Sequence, residues 1–256
     1  MKGLRLIAAT GARWVRFLVR GVYFGAYRGA RGYGFPKSRE QWEAEYQSGQ
    51  WDYLASGEER PVQMVVLGYA VHRQAAPAVL DVGCGDGVLF GMMQRFPLAE
   101  YHGVDVSEEA IARLRARAVP QSGATAINRV VFSRADFETY SPTRRYDVIV
   151  FNNSLMYADD PLWVLERFAN HLTTDGFIVA SMCYNRWQFP IWKRITHRFT
   201  AVHAAEVTNE QGLLWHVRVL QRRRDDDALS TCGRQHTSLG SKVTPLRFES
   251  PSAYTR

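Results

Sequence analysis

The residues best placed to do chemistry are acids that stand beside glycines or close apolar runs. Residues 79–87 read Val-Leu-Asp-Val-Gly-Cys-Gly-Asp-Gly. A buried-strand pattern reaches Asp81, turns through Gly83, Gly85 and Gly87, and passes into a helical pattern at residues 88–93. Glycine has no Cβ and tolerates positive φ, so such a turn lets backbone approach a ligand closely. A second acid, Asp105, lies in the apolar run 101–106 ahead of Ser107, and a third, Asp136, follows the run 130–133 with Phe137 beside it. Asn152-Asn153-Ser154 ends the β-branched run that starts at Tyr146. Strand, glycine turn, helix, then an acid after the next strand is the layout of a site for a nucleotide-bearing ligand. The glycines are spaced G-x-G-x-G, and Val88 stands where a dinucleotide fingerprint would have its third glycine.

Strands alternating with helices must position these groups. Strand patterns fall at 79–82, 101–106, 130–133, 146–151 and 177–182, which predicts a parallel sheet covered on both faces. Ser107 caps a predicted helix carrying Glu108 and Glu109 in its first turn, and Pro161 opens another that runs to Leu172. Asp175-Gly176 turns into the fifth strand. Runs 202–207 and 213–220 are joined by a link so short that only an antiparallel hairpin fits. Upstream, Ser38 with Gln41 forms a capping box, and an apolar helix is expected at about 58–74.

The net charge of +7 in 256 residues is unevenly spread. Residues 1–39 carry nine Lys or Arg and no acid, residues 222–256 a net of +3, and the centre a net of −5. An acidic centre argues against a nucleic-acid partner. Cys84, Cys183 and Cys232 have no metal-ligand spacing and suit a reducing, cytoplasmic compartment. On a helical wheel, residues 2–31 gather Lys2, Arg5, Arg13, Arg16, Arg20 and Arg31 opposite Leu4, Ile7, Trp14, Val15, Leu18 and Val22. That is the pattern of a helix lying on a membrane interface, here the inner face; a helix packed on the domain and an Arg-rich presequence are the competing readings. Gly25, Gly29, Gly32, Gly34 and Pro36 then read as a flexible linker. The resulting division is 1–36 basic segment and linker, 37–221 main domain, and 222–256 disordered tail.

The glycine turn, residues 102–107 and residues 146–150 together resemble the class I S-adenosylmethionine-dependent methyltransferases over roughly 78–220. The resemblance implies a Rossmann-like α/β fold with a seven-stranded sheet in the order 3-2-1-4-5-7-6, strand 7 antiparallel, and helices on both faces. It implies S-adenosylmethionine as cofactor, wrapped by Gly83, Cys84, Gly85 and Gly87, with Asp81 capping the turn. Asp105, with Val106 next to it, would accept from the ribose hydroxyls, and Asp136 and Phe137 would meet the adenine. Asn152 would meet the methionine end and the acceptor. Residues 40–54 resemble a segment that folds over the cofactor as a lid in bacterial small-molecule methyltransferases, with Tyr46 and Trp51 as its contacts.

The reaction so implied is an in-line displacement of the sulfonium methyl onto a small-molecule, lipid-linked or sugar-linked acceptor; a soluble metabolite methyltransferase and a non-catalytic scaffold that keeps the cofactor pocket are the alternatives. Alignment and desolvation supply most of its acceleration, so no fixed catalytic dyad is required. The acceptor wall is expected from residues 152–160 and from an insertion at 183–203. Tyr157, His197 and His203 are the candidate bases, and Trp187 and Trp192 the candidate stacking surfaces. Asn-Asn-Ser-Leu stands where enzymes that methylate nucleic-acid amino groups carry Asn/Asp-Pro-Pro-Tyr.

Overall fold

The computed structural model describes residues 27–118, 126–184 and 188–223. Its seven strands are β1 (Ala78–Val82), β2 (Glu100–Asp105), β3 (Val130–Arg134), β4 (Tyr146–Asn152), β5 (Leu172–Cys183), β6 (Phe199–Thr208) and β7 (Leu214–Arg222). They form one sheet in the order β3-β2-β1-β4-β5-β7-β6. β1 to β5 pair in parallel, and β7 runs antiparallel to both β5 and β6. The expected Rossmann-like order is the observed one.

Among the described residues six α-helices flank the strands: α1 (Arg39–Gln47), α2 (Arg60–Val71), α3 (Val88–Met93), α4 (Glu108–Arg117), α5 (Pro161–Ala169) and α6 (Gln188–Arg198). The pleat sends alternate side chains of β1 to opposite faces, and every residue of the strand is buried. Val79 packs with Val66, Phe90, Ile111 and Leu114 from α2, α3 and α4. Leu80 and Val82 pack with Val164, Phe168, Ile191 and Ile195 from α5 and α6. The strand order reverses direction between β1 and β4, and a crevice opens beyond their carboxyl ends.

Four local expectations need correction. β5 starts at Leu172, so α5 stops at Ala169. Leu172 pairs with Tyr146 and Phe177 with Val148, which makes Asp175-Gly176 part of a bulge inside β5 and not a turn ahead of it. α2 ends at Val71, three residues short of the expected end. The supposed insertion at 183–203 is largely α6 and the start of β6, because Ile191, Trp192 and Ile195 share one apolar stripe that the second core layer buries. Trp192 is therefore core, with the Arg218 guanidinium 4.6 Å from its ring centroid.

The glycine-rich stretch before α1 is seated on the domain. Gly34 N–H donates to Asp159 O and Phe35 N–H to Met156 O, while Arg194 donates to Gly32 O. A Cβ on Gly34 would stand 2.0 Å from Ala158 O, so only glycine permits this approach. Residues 2–26 of the expected membrane-surface helix, Trp187 and residues 224–256 of the expected tail lie outside the described residues; Gly29–Arg31 form a 3-10 turn, and Arg222 still belongs to β7. Among the described residues no helix is long and apolar enough to cross a membrane.

Candidate active site

A cavity of about 410 Å³ opens at the carboxyl ends of β1, β2, β4 and β5. That volume suits a small molecule, since ligand sites run to roughly 300–1,000 Å³. The glycine turn forms its floor. Gly83 and Cys84 both donate to Val104 O, at 2.8 and 3.1 Å, which fixes the turn against β2. Gly83 has φ 73°, and a Cβ there would lie 2.4 Å from Ser154 Cβ. The loop after β4 can therefore close onto the turn only over a glycine. Gly87 serves otherwise than expected. It is not part of the cavity lining, and a Cβ would fall 2.0 Å from Leu114 Cδ1, so its smallness admits α4.

Two buried acids divide the work differently from the sequence reading. Asp105 Oδ2 accepts from Gly85 N–H and Oδ1 from Ser107 N–H, both at 2.9 Å. Asp105 thus caps the turn, the role expected of Asp81. Burial lifts its carboxyl to about 6 against the help of these donors. Asp81 lies on the face that holds Tyr101, whose hydroxyl donates to Oδ2 at 2.7 Å. Its Oδ1 is buried without a partner, and burial lifts this carboxyl to about 7.

That shift has a consequence for stability. A carboxyl whose folded pKa is raised keeps its proton in the folded state and ionises only at a cost. Stability conferred by neutral Asp81 is lost as pH rises from about 4 to about 7, and is level above that. Asp81→Asn should flatten this part of the curve and gain, relative to wild type, on the order of 2–4 kcal/mol between pH 5 and pH 8. Urea unfolding of both proteins at the two pH values measures it. Parallel curves would remove the assignment.

Of the other expected site residues, Cys84, Val106, Phe137, Asn152, Tyr46, Trp51 and Tyr157 line the cavity. Asp136 does not; its Oδ1 accepts from Glu138 N–H at 2.9 Å and holds the turn beside Phe137. His197 is exposed in the last turn of α6, and His203 is exposed on β6, stacked on Tyr69 with centroids 5.9 Å apart. Neither histidine lines the cavity, so neither is in position to act as a base there. Burial raises the Tyr157 phenol further above its ordinary value, so Tyr157 keeps its proton and is a donor.

The roof is α1 with the turn that follows it. Glu43 reaches α4, accepting from Ser107 Oγ at 2.9 Å, Glu108 N–H at 2.8 Å and Glu109 N–H at 3.2 Å. Arg113 of α4 returns the contact, donating to Tyr46 O and Asp52. The Lys37 ammonium pairs with Glu45 at 2.7 Å and lies 4.4 Å from the Trp42 centroid and 5.2 Å from that of Tyr157. These contacts fold the segment of Tyr46 and Trp51 over the cavity.

Sequence reasoning missed Glu59 and Gln63, which also line the cavity, together with Trp42 of the segment 40–54 and Asn153 of the expected acceptor wall. Glu59 accepts from Asn153 Nδ2 at 3.1 Å across 94 residues of chain, a contact no local pattern announces. Four lining residues are acids, Glu59, Asp81, Asp86 and Asp105, and none is Lys, Arg or His. Only Asp86 has an ion-pair partner among the described residues, Arg117 at 2.6 Å.

Comparisons with known proteins find likenesses to methyltransferases. Residues 80–178 match the family described as methyltransferase domain. Trans-aconitate 2-methyltransferase of Streptomyces avermitilis is 28% identical over 156 residues, 60% of this chain and 52% of that protein. Malonyl-[acyl-carrier protein] O-methyltransferase of Bacillus anthracis is 28% identical over 104 residues, 40% of this chain and 36% of that one. The chain thus spans about half or less of the curated relatives named. Among solved structures, the N-methyltransferase NodS from Bradyrhizobium japonicum WM9, in complex with S-adenosyl-l-homocysteine, superposes with a TM-score of 0.61. The two are 16% identical, and the match covers 73% of this chain and 98% of NodS. The [4+2]-cyclase SpnF superposes with a TM-score of 0.58 at 13% identity, covering 74% of this chain and 98% of SpnF. At such identities the likeness is one of fold.

Proposed function

We propose, on the premise that residues 80–178 belong to the methyltransferase-domain family, that this chain transfers a methyl group from S-adenosylmethionine to a small-molecule acceptor. The observation that carries the reading is the charge of the lining: four acids and no cationic side chain. A dinucleotide would bring a doubly negative pyrophosphate against these carboxyls. S-adenosylmethionine brings a sulfonium and an ammonium against one carboxylate, a net positive charge that carboxylates stabilise in a water-poor cavity. Each Asp105 oxygen has one backbone donor and retains acceptor capacity for one hydroxyl of a vicinal diol. Phe137 offers a ring for the adenine, and Asp81 Oδ1, buried without a partner, a hydrogen-bonding atom beneath the turn.

The bound cofactor supplies an electrophilic methyl that needs no further activation. The protein's part is to exclude water, through the roof of Tyr46 and Trp51, and to line up the acceptor from the far side. Contact with the inner face of a membrane, and with it a lipid-linked or sugar-linked acceptor, is proposed on the charge pattern of residues 2–31 alone.

Isothermal titration of the full chain with S-adenosylmethionine, S-adenosylhomocysteine and NAD tests the reading. Binding of the first two and not of NAD is expected. Binding of NAD alone would overturn it.

A further inference from the structure

The cavity has two ends, set by the strand order. Asp105 ends β2 and Phe137 follows β3, whereas Cys183 ends β5 and Leu213 precedes β7. β2 and β5 are separated by three strand spacings in the order β2-β1-β4-β5, or roughly 14 Å at 4.8 Å each. With the ribose and adenine at the β2 and β3 side, the β5 side is left for the acceptor. Glu59, Gln63 and Asn153 belong to this second end. Asn153 binds Glu59 and follows β4, next to β5, and Asn209 of the β6–β7 link donates to Glu58 O.

We infer that this end takes an amine as the methyl acceptor, recognised by Glu59, Gln63 and Asn153. This rests on the S-adenosylmethionine reading of the other end. Gln63 is 3% exposed, spends its Nε2 on Leu54 O at 2.9 Å, and leaves Oε1 buried without a partner. Asn153 spends Nδ2 on Glu59 and leaves Oδ1 in the same condition. Glu59 is 7% exposed and has no ion pair among the described residues. Three oxygens without a cation nearby form an acceptor-only surface, which is complementary to an N–H donor and above all to an ammonium. A carboxylate acceptor, such as the names of the sequence relatives imply for those proteins, would meet three electron-rich oxygens and no Arg or Lys.

Burial, with Glu58 as a second cause, lifts Glu59 to about 7, so it can hold a proton near neutrality. Tyr53, Tyr157 and Cys183 also bear on it, and burial keeps all three protonated. The ammonium gives one proton to Glu59. The freed nitrogen lone pair then forms the N–C bond as the S–C bond breaks. The bonding pair stays on sulfur, which becomes a neutral thioether, and the nitrogen ends as a methylated ammonium.

The test uses three probes of one skeleton: phenethylamine, 2-phenylethanol and phenylacetate. Each is titrated into the full chain saturated with S-adenosylhomocysteine, and each is offered with methyl-labelled S-adenosylmethionine. Phenethylamine should bind at least tenfold more tightly than the other two and be the probe that takes label. Glu59→Gln should weaken its binding about tenfold or more, the scale of a lost charged hydrogen bond. Affinity for S-adenosylhomocysteine, measured alone, should change far less than that for phenethylamine. Gln63→Met gives a second, uncharged check should Glu59→Gln fold poorly. Preference for the alcohol or the carboxylate, no binding of any probe, or unaltered binding in both variants would overturn the inference. Loss of S-adenosylhomocysteine binding by the wild-type chain would instead strike the reading on which it rests.

Discussion

Asp105→Ala is expected to weaken S-adenosylmethionine binding by about 1.5–3 kcal/mol, or roughly 10- to 150-fold in Kd. The carboxylate is 8% exposed, so water screens little of the interaction. The variant should also melt at a lower temperature, because Gly85 and Ser107 N–H lose their acceptor. Asp105→Asn separates the two effects. Its amide oxygen can still accept one of these N–H groups, so stability should recover in part, whereas two acceptors for a diol are no longer available. Calorimetric titration and thermal unfolding of both variants provide the measurement. Unchanged affinity in both would remove Asp105 from the site.

The second large effect is expected at Gly83. Alanine there must adopt φ 73° and bring its Cβ to 2.4 Å from Ser154 Cβ. The left-handed backbone costs about 1–2 kcal/mol and the collision with a buried loop a further 1–3 kcal/mol, so Gly83→Ala should lose about 2–5 kcal/mol of folding stability. Gly212→Ala is the internal reference, since its φ is 77° and nothing stands within 4 Å of a Cβ there. It should show the backbone cost alone. Urea unfolding of the pair checks this, and equal losses would mean that the loop after β4 does not press on the turn.

The fold was legible because the sheet's central strands are buried on both faces and read as continuous apolar runs, as in β1 and β4. The turn glycines, Asp105, Val106 and Phe137 were legible because strand ends and a helix cap fix their position locally. What escaped depended on contacts remote in sequence. The bulge at Asp175-Gly176 looks like a turn until Leu172 is seen pairing with Tyr146. Gly87 and Gly83 look alike in the motif, yet one faces Leu114 and the other Ser154. His197 and His203 drew notice by residue type, but type says nothing of which sheet face or edge a side chain occupies. Glu59 had no local signal, since its setting is assembled by α2, the end of β4 and the hairpin loop.

The Glu43 carboxylate does two jobs with one set of bonds. It fastens the roof, and it caps the first turn of α4 by holding Glu108 and Glu109 N–H together with Ser107 Oγ. Raising α1 to admit a ligand therefore unseals the start of α4, two residues from Asp105. The roof and the Asp105 carboxylate are joined through Ser107, whose N–H Asp105 holds and whose Oγ Glu43 holds. Opening the roof is therefore expected to fray the start of α4 as well as to uncover Trp51 and Tyr46.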